Sequence, residues 1–316
     1  MINYPPRGLV IELVTPLNAA GKPDRESLGW LIQRLRKDAG AVLAGSLEVG
    51  EALQLDPAAR IEILEASLTA LKNGPALFFE ITSLDEHGTL EILELSESLL
   101  EGFTSGLELY YFLTPLVYHS NRNLPDHLEE LGRKTARQFI LSNNPVLVSK
   151  LTGAFRHENI RTSVLKKISM NEQVVGLEYS GGVDRAINYQ RALRGRAKFR
   201  FYDGDEENFI TQPSSSGLVS CGANLLPRAW ADIVNSSLDI FESKRMYPDH
   251  LSQIWQNGRK VRQLLSLYES NPPGYIKKAL ELQALIPRTR MSDPREELGP
   301  DEVGRLKTVL KSLEML

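Results

Sequence analysis

Short apolar runs alternate along this chain with longer stretches whose apolar residues recur every three to four positions, a pattern that predicts strands and helices in turn. The first run, GLVIELVTP from Gly8, stops at Pro16 and the turn-rich NAAGKPD. Asp24 stands where it can cap the amphipathic RESLGWLIQRLRKD. AVLAG (residues 41–45) reads as a second buried strand. Asp56 and Pro57 then take the N-cap and first position of PAARIEILEASLTALKNG, which Gly74 stops. The pairing repeats in ALFFEI (residues 76–81) with GTLEILELSESLLEGF, LELYYFL (107–113) with LPDHLEELGRKTA, and QFILSN (138–143) with NIRTSVLKKIS. VVGLE (174–178) precedes AINYQRALRG, AKFRFYDGD precedes a short segment, and GLVSCGAN (217–224) precedes LPRAWADIVNSSLDIFES.

These eight units predict eight parallel strands closed into a (β/α)8 TIM barrel with the helices outside. A doubly wound open sheet is the alternative, but no GxGxxG turn follows the first strand to support a dinucleotide site. After about Tyr247 only helical patterns remain, in HLSQIWQNGRKVRQLLSLYES, YIKKALELQAL and DEVGRLKTVLKSLEML. The chain is therefore expected to divide into a barrel over residues 1–243 and a C-terminal helical extension over 244–316. Closure of the sheet brings Thr15, Gly45, Ser142, Glu178 and Ser220 to one rim, the end of a barrel where chemistry is done.

Composition narrows the function. The 37 basic and 40 acidic residues are scattered, with a net charge of -3 and no basic block to follow a phosphate backbone, so nucleic acid is not an expected partner. The single cysteine, Cys221, excludes an internal disulfide and a cysteine-rich metal site, and reads as a small filler near a strand end. The start MINYPPRGLV lacks a basic region followed by a long apolar core, and no uncharged apolar run is long enough to span a bilayer. A soluble, cytoplasmic protein is expected.

Candidate chemistry lies in carboxylates that interrupt apolar runs: Glu12 in the first strand, Glu80 at the end of the third, and Glu178 where VVGLEYSGG emerges from the sixth. Bare charges there are costly, so something cationic is expected to meet them if they point inward. Lys198 or Arg200, in the charged strand AKFRFYDGD, can pair with them in a repacked barrel. Alternatively Glu80 and Glu178, with Glu48 or Asp203, form a cation site or general-base cluster; magnesium suits oxygen ligands, though no spacing motif identifies it. Lys150 or Lys198 can in principle supply a reactive amine. The histidines at 87, 119, 127, 157 and 250 show no HxH or HxxxH spacing and are expected in solvated positions, with His119 alone placed after a strand. Tyr110 and Tyr111 read as packing residues.

The words GLVIELVTPL, AGSLEVGEALQLDPAAR, YYFLTPLVY, LSNNP, VVGLEYSGG, YDGDE, LVSCGANLLP and PPGYIKKALELQAL, in this order and at these separations, resemble the dihydrodipicolinate synthase and N-acetylneuraminate lyase family over nearly the whole chain. The resemblance implies a (β/α)8 aldolase fold, lyase or aldolase chemistry on pyruvate-type 2-oxo acids, and homodimers or homotetramers. It also implies a Schiff-base lysine and a proton-relay tyrosine, and both are replaced. The lysine word reads Gly176-Leu177-Glu178, and a carboxylate forms no iminium. The tyrosine word reads Ser142-Asn143-Asn144-Pro145, whose hydroxyl is shorter and far less acidic than a phenol. The carboxylate-gripping loop reads Gly45-Ser46-Leu47-Glu48-Val49 before Gly50-Glu51, with two extra residues, and Val146, Leu147 and Val148 stand where many members hold a substrate acid group with arginine. The resemblance therefore leads to a barrel with a degenerate Schiff-base site, non-catalytic or regulatory, binding a small molecule of which a 2-oxo acid is the family's example, through Ser46, Glu48, Glu80, Asp203 or Ser220. The alternative is a carbon-carbon lyase or aldolase with relocated or metal-assisted chemistry. No motif calls for a cofactor or a resident metal.

Overall fold

A computed structural model describes residues 3–103, 106–116, 123–152, 157–213, 215–238 and 249–316. The predicted alternation is realised as β1 (Gly8–Glu12), α1 (Arg25–Leu35), β2 (Ala41–Ala44), α2 (Pro57–Leu71), β3 (Ala76–Glu80), α3 (Glu86–Glu101), β4 (Leu109–Leu113) and α4 (Leu124–Lys134). It continues through β5 (Phe139–Asn143), α5 (Pro145–Thr152), α6 (Thr162–Ile168), β6 (Val174–Tyr179), α7 (Val183–Leu193), β7 (Arg200–Asp203), α8 (Glu206–Thr211), β8 (Gly217–Ser220) and α9 (Pro227–Ser237). Each strand pairs in parallel with the next, and β8 returns to β1 from Gly8↔Gly217 to Ile11↔Ser220, closing the barrel. Among the described residues three helices follow, α10 (Asp249–Tyr268), α11 (Pro272–Leu282) and α12 (Pro300–Ser312). The expected boundary, at residues 243 and 244, and Tyr247 lie outside the described residues. Among the described residues no helix is long and apolar enough to cross a membrane.

The caps are those the sequence suggests. Asp24 accepts a hydrogen bond from Ser27 N at 3.1 Å and Asp56 from Ala59 N at 2.7 Å, each worth about 1 kcal/mol to its helix. The helix α5 is an addition to the expected pattern. It starts at Pro145, with the Asn144 side chain accepting from Leu147 N at 3.0 Å, and brings Val146, Leu147 and Lys150 over the rim.

Because side chains alternate across a strand, the barrel has two cores. Val10, Leu43, Phe78, Tyr110, Phe112, Ile140, Val175 and Tyr202 fill the interior, while Leu9, Ile11, Val42, Leu77, Phe79, Tyr111, Leu141 and Leu177 pack under the helices. Phe78 meets Tyr110 edge-on at 5.6 Å, so Tyr110 is interior packing and Tyr111 is helix-facing, as expected. In β6, Val175 faces inward and Leu177 outward, although a regular strand would turn them the same way. The register supplies the reason: Phe139 pairs with Val174 but Ile140 with Gly176, a one-residue bulge. The slip turns Glu178 inward and sets it beside Ser142.

Candidate functional site

At the carboxyl end of the strands the structure has an open cleft of about 840 Å³. Its floor includes Glu12, Ser180, Gly204, Asp205, Glu206 and Cys221, from β1, the turns after β6 and β7, the start of α8 and the end of β8. One side is apolar: Leu47, Val49 and Leu53 come from the segment after β2, and Val146, Leu147 and Leu151 from α5. The far side is closed by the C-terminal helices, through Arg262, Leu265, Tyr268, Pro272 and Pro273.

Glu178 lies beneath this floor and is 4% exposed. Ser142 Oγ donates to its Oε2 at 2.6 Å, and Ser180 Oγ donates to its Oε1. Gly204 crosses so close that any side chain there would overlap the carboxylate. Burial pushes the Glu178 pKa up; the two hydroxyls oppose that shift, while Glu48 and Asp205 add to it. Glu12, inward at the end of β1, is raised to about 8 by burial against a hydrogen bond with Ser46, with Glu178, Glu48 and Glu206 adding repulsion. Glu206 accepts from Ser220 Oγ, from Gly222 N at 2.9 Å and from Tyr268 OH at 2.7 Å, and burial raises its pKa as well. Burial thus favours the protonated form of each of these carboxyls, and their hydrogen bonds oppose it.

The expected cations are elsewhere. Arg200 begins β7, at the opposite end of the barrel, where its Nε donates to Pro5 O at 2.9 Å. The Lys198 ammonium lies 5.4 Å from the Tyr4 ring centroid. Neither pairs with the rim glutamates, because the rise of the strand separates its first residues from its last. The cation near Glu80 is Arg60 of α2, 2% exposed, whose guanidinium donates to Glu80 O at 2.6 Å and Thr82 O at 2.7 Å. Burial raises Glu80 to about 7, opposed by hydrogen bonds from Thr82, the charge of Arg60 and Thr114.

Of the expected ligand-binding residues, Glu48 lines the cleft, paired with Lys150 Nζ at 3.3 Å and accepting from Asn144 Nδ2 at 3.3 Å. Ser46 lies beneath it, accepting from Gly50 N at 2.9 Å. Glu80 is turned to Thr82 and Thr114, Ser220 to Glu206, and Asp203, raised to about 7 by burial, accepts from Asp205 N at 3.0 Å. These four stand outside the cleft lining. Cys221 lines the cleft, but burial and the adjacent Glu206 push its thiol well up, so it is a poor nucleophile. Among the described residues, the metal-type ligands that converge are Glu86, His127 and Glu130, on the outer helices rather than at the rim. His127 is 8% exposed with Nδ1 3.3 Å from Glu86, not solvated as its sequence context suggested; His119 lies outside the described residues. Glu206 and Tyr268 were missed because their partners are distant in sequence; the only hint was the acidic run that opens α8.

The chain is similar to 4-hydroxy-tetrahydrodipicolinate synthase of Protochlamydia amoebophila, 25% identical over 97% of this chain and 96% of that protein. It is 24% identical to the synthase of Pseudomonas aeruginosa, with 89% of each chain covered. Its structure is similar to dihydrodipicolinate synthase from Thermotoga maritima, with a TM-score of 0.80 and 18% identity over 99% of this chain and 100% of that one. It is equally similar, at 0.80 and 19% identity over 98% and 99%, to the chloride-inhibited synthase of Acinetobacter baumannii complexed with pyruvate. The model of the Dihydrodipicolinate synthetase family matches residues 5–312, and with a closed eight-stranded barrel and three C-terminal helices the chain belongs to that family.

Proposed function

We propose that this chain is a small-ligand-binding barrel, non-catalytic or regulatory, in which the family's Schiff-base site is degenerate. The observation that carries this reading is the Ser142–Glu178 pair. Where the resemblance puts an amine and a phenol, a buried carboxyl is held by two hydroxyls. A second feature supports it. Leu47, Ala52, Leu116, Leu147 and Val148 form a small apolar cluster of their own at the rim, where groups holding a 2-oxo acid carboxylate are expected. An apolar cluster supplies no donors to a carboxylate and leaves it unpaired on burial. Among the described residues Lys150 is the lysine that lines the cleft; it is 64% exposed and ion-paired with Glu48, whereas a nucleophilic amine needs desolvation. The same reading has the protein acting in the cytoplasm as a homodimer or homotetramer, without nucleic acid.

A carbon-carbon lyase or aldolase with relocated chemistry is the second reading. One observation favours it: the cleft is open, and Glu12, Glu48 and Glu206 converge on it, as a general-base site requires. Incubation of the native protein with pyruvate and borohydride, followed by intact-mass measurement, tests every lysine at once for a relocated Schiff-base amine. An unchanged mass is expected. A reduced pyruvyl adduct means that another lysine has taken over the chemistry, and the degenerate-site reading falls.

A further inference from the structure

The lining of the cleft divides by chemistry. On one side Leu47, Leu53, Val146 and Leu147 present apolar surface, with Val146 itself 61% exposed. An apolar wall left open inside a cavity of ligand size points to a ligand that covers it. On the floor stand Glu12, Asp205 and Glu206. Each cation lining the cleft among the described residues is already spoken for: Lys150 by Glu48 at 3.3 Å, Arg262 by Glu207 at 3.9 Å, and Arg295 by Asp293 at 2.6 Å. The ionisable groups of the floor are therefore of one sign when charged, and a cleft of one sign concentrates ligands of the other.

We propose that the ligand of this cleft is a cationic amine with an apolar arm, its ammonium seated against Glu12 and its arm laid along Leu47, Leu53, Val146 and Leu147. The proposal rests on the reading of the cleft as a ligand site and deepens it by naming the ligand class, which differs from an anionic 2-oxo acid in the sign of its charge. Glu12 suits the role by position. It is the last residue of β1, it projects inward, and among the described residues its carboxyl is hydrogen-bonded to the Ser46 hydroxyl, which leaves acceptor capacity for an ammonium. Glu206, by contrast, spends its oxygens on Ser220, Gly222 and Tyr268. The raised pKa of Glu12 adds a consequence: an ammonium beside it favours the ionised carboxylate, so binding near neutral pH releases a proton. The groups that act on that titration are Ser46, Glu178, Glu48 and Glu206.

Cys221, the chain's single cysteine, lines the cleft and reports its occupancy. The rate at which the native protein reacts with methyl methanethiosulfonate is measured at low ionic strength with n-butylammonium, butanol or butyrate, three four-carbon probes of three charges. The expected result is that n-butylammonium slows the reaction several-fold, butanol less, and butyrate not at all, and that added salt removes the ammonium's advantage. In Glu12→Gln the ammonium should lose most of its advantage over butanol, each rate being taken relative to the variant's own rate without a probe, because the Glu12 charge is one of those that raise the Cys221 thiol. Equal protection by butyrate, or none by n-butylammonium, overturns the proposal on the native protein alone, whatever the variant does. Pyruvate trapping run in parallel separates the two failures: an adduct defeats the reading of the site, whereas an unchanged mass with unprotected Cys221 defeats only the ligand class.

Discussion

Lys277 of α11 and Glu51, in the turn after β2, form a buried ion pair between residues 226 positions apart. Lys277 is 2% exposed and also donates to Arg290 O at 3.1 Å, while Glu51 accepts from Ser292 N and Oγ, both at 2.7 Å. The pair fastens the segment carrying Leu47, Glu48 and Val49 to the C-terminal helices, so the extension is a wall of the cleft.

Removing one partner leaves the other charge buried and unpaired. Lys277→Met should lower unfolding free energy by about 3–5 kcal/mol in urea denaturation, and the double variant with Glu51→Met should recover a large part of that loss. A double variant no more stable than the single one would show that the Glu51 charge is not what the lysine offsets.

A second clamp joins α10 to the floor. Tyr268→Phe removes the 2.7 Å hydrogen bond to Glu206 while keeping the ring, and should cost about 1–3 kcal/mol. The same variant should speed thiol modification of Cys221, whose Sγ lies 3.9 Å from Glu206. An unchanged rate would mean that the floor holds its shape without the phenol.

The raised carboxyls set the pH dependence of stability. Glu12 rises from 4.5 to about 8 and Glu80 from 4.5 to about 7, both chiefly through burial. Below about pH 4.5 both states hold these protons; above it the unfolded chain releases them while the folded chain keeps them, so each further rise favours unfolding. Their contribution is complete below the unfolded value and is lost as pH passes through about 7 and about 8. The urea midpoint should therefore fall between about pH 5 and about pH 9, and fall less in Glu12→Gln. A midpoint that rises over this range contradicts the assignment.

The strand-helix order, the Asp24 and Asp56 caps and the interruption of apolar runs by Glu12, Glu80 and Glu178 were legible because they depend on local period and on neighbours a few residues away. What was not legible depends on register and distance. The bulge that turns Glu178 toward Ser142 leaves only Gly176 as its sign, since glycine inside a strand often marks a slip. Lys198 and Arg200 looked like partners for the glutamates because they share a strand word with Asp203, yet the start and end of a strand serve opposite ends of the barrel. Lys277 and Tyr268 sit in helical patterns where a lysine and a tyrosine read as surface and packing. Only the docking of α10 and α11 on the rim makes them partners of Glu51 and Glu206.

Restoring the amine at position 178 tests how much of the lost chemistry the scaffold still supports. A lysine there enters a space bounded by Ser142, Ser180 and Gly204, with Glu12, Glu48 and Asp205 acting on the position electrostatically. Carboxylates hold an ammonium protonated, and Ser142 has no phenol to carry its proton away. Glu178→Lys alone should therefore trap little pyruvate under borohydride. Adding Ser142→Tyr supplies the shuttle, and adding Glu12→Gln removes the nearby negative charge. Glu80 is not the residue to neutralise, because its carboxyl is engaged by Thr82 and Thr114 and lies near Arg60. Intact-mass measurement of the triple variant should show clearly more adduct than the single one. Equal trapping in the two would place the block at the apolar cluster of Leu47 and Leu147, which excludes the substrate before any amine can attack it.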